Sequence, residues 1–160
     1  MNYTPIPNKK PAYALSLLLT LTSLSFAMFS ILAEGTAARL FGVSAIVAFA
    51  ASTPIITRYL LCSHTYFLGE NELSVVRQTA KGQKILCRLS YADMVSITPL
   101  KESKKQAADL QKYNYCSSML PKNALCIFCK NDDGDFALIL EGDGELEKGL
   151  ARRMTPDYLS

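Results

Sequence analysis

Two thiols with suggestive spacing stand out, Cys126 and Cys129 in "ALCIFCK", followed at once by the acidic "NDDGD". A Cys-x-x-Cys pair serves structural zinc sites and dithiol redox centres. The surrounding residues argue against both. "ALCIFCK" and "DFALIL" flank the turn-forming "NDDG", which predicts a β-hairpin. Successive side chains on a strand alternate faces, so positions three apart point to opposite sides and cannot grip one ion. Zinc would need two more ligands, and the chain has one histidine and no second such pair. Redox pairs open a helix, whereas this one lies inside a strand. Both cysteines read as structural thiols, one facing the core and the other the opposite surface, with alternation leaving open which is inside.

Other chemistry is equally thin. With Gly134 or Gly144 at the sixth position of a calcium loop, the first position falls on Cys129 or Ile139, which cannot ligate calcium. "GDGELEKG" lacks the spacing of a nucleotide-binding loop, and its acids repel phosphate. His64 has no identifiable nucleophile beside it and reads as structural or interfacial. No catalytic residue, metal ligand or cofactor is expected.

The elements that would position any site come in two kinds. Between Lys10 and Glu34 lie 23 residues without a charge, and between Arg39 and Arg58 lie 18 more. About 20 apolar residues cross a bilayer core of roughly 30 Å, so the pair predicts a transmembrane helical hairpin over 12–61, with spans at about 12–33 and 40–60 joined by "EGTAAR". The first run is longer than the apolar region of a signal peptide and is followed by another. Residues 1–11 read as an amino-terminal tail. Lys9, Lys10 and Arg58 flank the hairpin against a lone Arg39 in its loop, which predicts both termini in the cytoplasm. All five cysteines follow the hairpin, consistent with reduced thiols. Ser16, Thr20, Ser23, Ala27 and Ser30 form a stripe of small residues facing Ser44, Ala48 and Ser52, the expected contact of the two helices. Neither span contains an ionisable residue, so no transport pathway is implied.

From Cys62 onward the pattern is β. "KILCRLSY" places Ile85, Cys87, Leu89 and Tyr91 on one face and Lys84, Arg88 and Ser90 on the other, with Leu86 as the exception. With "ELSVVRQ" before it and "MVSITPL" after it, three antiparallel strands are predicted. Residues 101–117 have no clear pattern. "DGELEKGLARRMTP" predicts a helix capped by Asp143, stopped near Pro156 and packed through Leu146, Leu150 and Met154. A β domain over 62–155 with this helix, then a tail over 156–160, completes the organisation. After Cys62 basic and acidic side chains balance at 13 each, which gives no basic surface for nucleic acid.

"NELSVVRQ", "KILCRLSYADMVSITPL", "RYLLCSHTYFL", "YNYCSSMLPKNA" and "FALILEGDGELEKGL" resemble segments of an uncharacterised Firmicutes group of small membrane proteins with a pleckstrin-homology-like domain. The resemblance implies a seven-strand bent sheet or barrel closed by a carboxy-terminal helix. It also implies a non-enzymatic module, anchored in the cytoplasmic (inner) membrane, for protein interaction or self-assembly. The expected partners are the lipid bilayer and another membrane protein or a second copy, with no small-molecule substrate. The alternative is an anionic-lipid-headgroup module, for which Lys81, Lys84, Arg88, Lys104 and Lys105 are the candidate contacts.

Overall fold

The computed structural model describes residues 1–103, 108–131 and 134–154. The chain divides into two units: one runs from Asn8 to Cys62, the other combines Met1–Pro7 with the residues from Ser63 on.

The first unit is a helical hairpin. α1 spans Lys10–Leu32, with Pro11 in the first turn where its missing N–H is tolerated. α2 spans Gly35–Ile55 and continues through Pro54 into a π-helical turn, Ile56–Leu60. The expected six-residue loop contracts to Ala33 and Glu34, because Gly35 takes a left-handed φ of 63° that reverses the chain at once. Both helices are long and apolar enough to cross a membrane, and little of either is buried. Their contact uses small residues. Ser23 Oγ donates to the Ala45 carbonyl at 2.9 Å and Ser30 Oγ to the Ala38 carbonyl at 2.8 Å. A Cβ on Gly42 would meet Ser30 Oγ at 3.2 Å, so glycine permits this close approach. Ser16 and Ser52 are buried as expected. Thr20 is not in the contact; it is exposed and bonds back to the Ser16 carbonyl of its own helix.

Among the described residues, the second unit holds eight strands in two four-stranded sheets. The first sheet is entirely antiparallel, with β1 (Asn2–Tyr3), β2 (Ser63–Leu68), β3 (Glu72–Thr79) and β4 (Gly82–Ser90) in that order. The second contains β5 (Met94–Pro99), β6 (Gln111–Asn114), β7 (Ala124–Asn131) and β8 (Gly134–Glu141) in the order β5-β7-β8-β6, with β6 parallel to β8. α3 (Leu100–Ser103) follows β5, and α4 (Gly144–Met154) closes the described chain. Leu68, Leu73, Val75 and Leu89 of the first sheet meet Ile127, Leu138 and Leu140 of the second, with Leu146 and Leu150 of α4, in one core. Asp143 caps α4, its Oδ1 accepting from the amides of Glu145 at 3.0 Å and Leu146 at 3.4 Å.

Four expectations need correction. The three-strand meander breaks after β4, because a 3-10 turn at Tyr91–Asp93 carries β5 into the other sheet beside β7. Ile85 does not share the face of Cys87: Val75 pairs with Cys87 and Val76 with Ile85, which leaves Leu86 as a bulge and reverses the alternation around it. Residues 1–11 are not merely a tail, since Asn2 and Tyr3 pair with Phe67 and Tyr66. The opposite faces of Cys126 and Cys129 hold, but neither thiol faces solvent. Cys129 lies in the main core, while Cys126 packs with Phe128 and Ala137 under Leu100 and Leu110 in a second cluster.

Candidate functional site

The sequence-selected cations do not assemble into one site. Lys81 occupies the two-residue turn between β3 and β4, and Lys84 stands exposed opposite Arg77. Arg88 pairs with Ser74. Ser74 and Arg77 are an odd number of positions apart on a regular strand, so their partners Arg88 and Lys84 lie on opposite faces of the sheet. The Leu86 bulge causes this reversal. Arg88 also lies 4.0 Å from Glu72 in an exposed ion pair. Lys104 and Lys105 fall outside the described residues.

A buried polar cluster surrounds His64. The His64 amide donates to Ser117 Oγ at 2.9 Å, and its Nδ1 lies 3.3 Å from the same oxygen. Beside it, Tyr66 donates its hydroxyl to the Tyr115 carbonyl and accepts the Glu141 amide, both at 3.0 Å. Ser118 binds both oxygens of the Glu141 carboxylate. Burial pushes the Tyr66 phenol well above its ordinary pKa, so it remains a donor. These bonds fasten residues 115–118 to β2 and β8. His64, Ser117, Ser118 and Glu141 are all buried, so the cluster binds the fold together and offers no reacting atom to solvent.

The thiols are likewise disposed for packing. Burial pushes Cys129 up to about 12 and also raises Cys87, which keeps both neutral near pH 7. Among the described residues, no three His, Cys, Asp or Glu side chains are grouped to hold a metal ion.

A surface with room for a partner lies where the two sheets part. β4 ends the first sheet and β6 ends the second. Between them is a groove of about 410 Å³, walled by Leu86, Cys87 and Leu89 on one side and Gln111, Tyr113 and Tyr115 on the other. Phe136 and Leu138 of β8 also line it, with Phe136 set edge-on to Tyr113 at 5.7 Å. Asp93 and Asp135 add negative charge and Arg88 positive charge to the lining. Two strand edges, each with a row of backbone donors and acceptors, thus border an aromatic trough. The sequence contains one clue to it: Leu86, the residue that breaks the alternation, is the bulge in the groove wall.

No protein-family model matches this chain, and comparison with curated proteins finds no match.

Proposed function

We propose that the chain is a non-enzymatic, membrane-anchored interaction module whose β unit is pleckstrin-homology-like and binds a partner protein or a second copy through the groove between β4 and β6. The observation that carries this reading is the pairing of two sheet-ending strands with a trough of mixed character, in which Tyr113, Tyr115 and Phe136 stand among Arg88, Asp93 and Asp135. Such an arrangement receives an extended segment by strand addition, with backbone bonds supplying affinity and the trough selecting side chains. The fold is in keeping with the resemblance in its two packed sheets and terminal helix, although the eight strands among the described residues and a parallel β6–β8 pair depart from the expected seven-strand sheet.

The chain's connectivity supports the anchoring. Residues 1–7 and those from Ser63 on belong to the same β unit, so the intervening hairpin must leave and return on one side of the bilayer. Lys9, Lys10 and Arg58 favour the cytoplasmic side for that unit, and with it both termini, in the cytoplasmic membrane.

A photo-crosslinking residue at Tyr113 in the full chain, in native membranes, tests the groove. The expected result is one adduct of defined mass, absent when the probe replaces exposed Lys148 on α4. Equal adducts at both positions, or none at 113, would refute the assignment. A mass of twice the chain would identify the partner as a second copy. The competing reading, headgroup contact through Lys81 and Lys84, is favoured by the exposed Arg77 opposite Lys84. Salt-sensitive vesicle binding lost in K81Q/K84Q would support it instead.

A further inference from the structure

We propose that the occupant of the groove is the β4 edge of a second copy of this chain, run antiparallel about a two-fold axis, so that the basic start of each β4 meets the acidic end of the other. This rests on the reading of the groove as an interaction surface. The charge along β4 is divided. Between Glu72 and Asp93 the sequence contains Arg77, Lys81, Lys84 and Arg88 and no acid. Lys81 lies in the turn before β4 and Lys84 on the strand itself, both exposed. Asp93 stands at the other end, closing the 3-10 turn that follows β4. Asp135 joins it there. Met94 pairs with Cys129 and Cys129 with Phe136, so the residues just before Met94 and Phe136 lie at one level, and both line the groove. Arg88 has its counter-charge in Glu72, 4.0 Å away, whereas among the described residues neither Asp93 nor Asp135 is in an ion pair.

Lys84 is on the correct face for this contact. Leu73, Val75 and Arg77 of β3 are two apart and share a face, and they pair with Leu89, Cys87 and Lys84. Lys84 therefore lies on the face that, further along β4, walls the groove through Cys87 and Leu89. A second β4 running parallel to the first would set lysine against lysine and Asp93 against Asp93. The antiparallel arrangement sets lysines against carboxylates, and the two-fold makes that contact twice. A lysine on an edge strand ordinarily opposes pairing with another edge, so the same charges that reject other pairings favour this one. The two-fold also brings the two grooves together and covers Tyr113, which is 39% exposed in the single chain.

The test is energy transfer between donor-labelled and acceptor-labelled full chains in mild detergent. The parent chain should self-associate, and less so as salt rises. K81E/K84E alone and D93K/D135K alone should each weaken self-association at least about fivefold. A mixture of the two variants should recover it, because one contact then joins the introduced glutamates to the introduced lysines and the other joins the native lysines to the native aspartates. Recovery on mixing also shows that both variants are folded. K81R/K84R should retain the association, and K148E, on the exposed side of α4, should leave it unchanged. Undiminished self-association in either charge-reversed variant, no recovery in the mixture, or a parent chain that stays monomeric would each overturn the pairing. Crosslinking at Tyr113 separates this pairing from the groove reading. An adduct with a different protein, beside a monomeric parent chain, would leave the groove reading intact and overturn the second copy, whereas no adduct at 113 would remove both.

Discussion

Ser118 holds Glu141 through two hydrogen bonds, its amide donating to one carboxylate oxygen at 2.7 Å and its hydroxyl to the other at 2.5 Å. The Glu141 amide in turn donates to Tyr66, so one residue at the end of β8 is tied both to the 115–118 segment and to β2. The carboxyl group is buried, and both of its oxygens accept hydrogen bonds from Ser118. Ser118→Ala leaves one of those oxygens without its hydroxyl partner and should destabilise the β unit by about 1–3 kcal/mol. Denaturant titration of the full chain in detergent measures this. An unchanged midpoint would mean that the bond contributes nothing net.

Cys126 and Cys129 should be nearly equivalent in cost when each is changed to serine. Each sits among apolar side chains on its own face of β7, so each substitution buries a hydroxyl in a poorly matched site, at about 1–3 kcal/mol if unpaired. A solvent-facing thiol would instead tolerate serine freely. Comparison of the two melting temperatures checks the second cover formed by Leu100 and Leu110. Zinc found in stoichiometric amount and lost in either variant would contradict the packing role of the thiols.

Stability should fall on the alkaline side. Burial raises Cys129 from 9.0 to about 12, and it also raises Cys87, Tyr91 and Tyr115. Below pH 9 the folded and unfolded chains keep these protons alike, and the stability is fully present. Above it the unfolded thiol ionises while folded Cys129 does not, so the unfolded state binds fewer protons and stability drops until about pH 12. The slope from Cys129 is about 1.4 kcal/mol per pH unit, discounted by whatever water reaches the thiol during local opening. Cys129→Ala should flatten the pH 9–12 profile relative to the parent chain; parallel profiles would refute the role of this thiol.

What could be read from the residues follows a physical line. α4 was legible because its signals are local: an Asp cap, acids then bases along the helix, and leucines four apart. The alternation of β7 was legible too, but not what covers each face, since Leu100 and Leu110 reach Cys126 from elsewhere in the chain. Asn2–Tyr3 is too short to carry a strand period and exists through its pairing with β2 and the stacking of Tyr3 on Tyr66 at 6.2 Å. The groove between β4 and β6 depends on which strands end each sheet, a long-range property that no window of residues encodes. Lys84 and Arg88 mark the same limit. Four apart, they belong on one face of a regular strand, and a single bulged residue separates them.

The hairpin seam yields the last prediction. In lipid, apolar side chains gain nothing by hiding from their surroundings, so helix contact depends on close packing and on hydrogen bonds between helices. The bonds from Ser23 to the Ala45 carbonyl and from Ser30 to the Ala38 carbonyl require the backbones to approach closely beside Gly42. A cysteine pair at Ser23 and Ala45, in a chain whose native cysteines are changed to alanine, should therefore crosslink efficiently on mild oxidation. A pair at Leu24 and Ile46, both on exposed faces, should not. Gly42→Leu should abolish the first crosslink by forcing the helices apart, while Leu18→Ala on the exposed face should leave it intact. Efficient crosslinking at 24 and 46, or at 23 and 45 in the presence of Gly42→Leu, would show that the helices meet along a different seam.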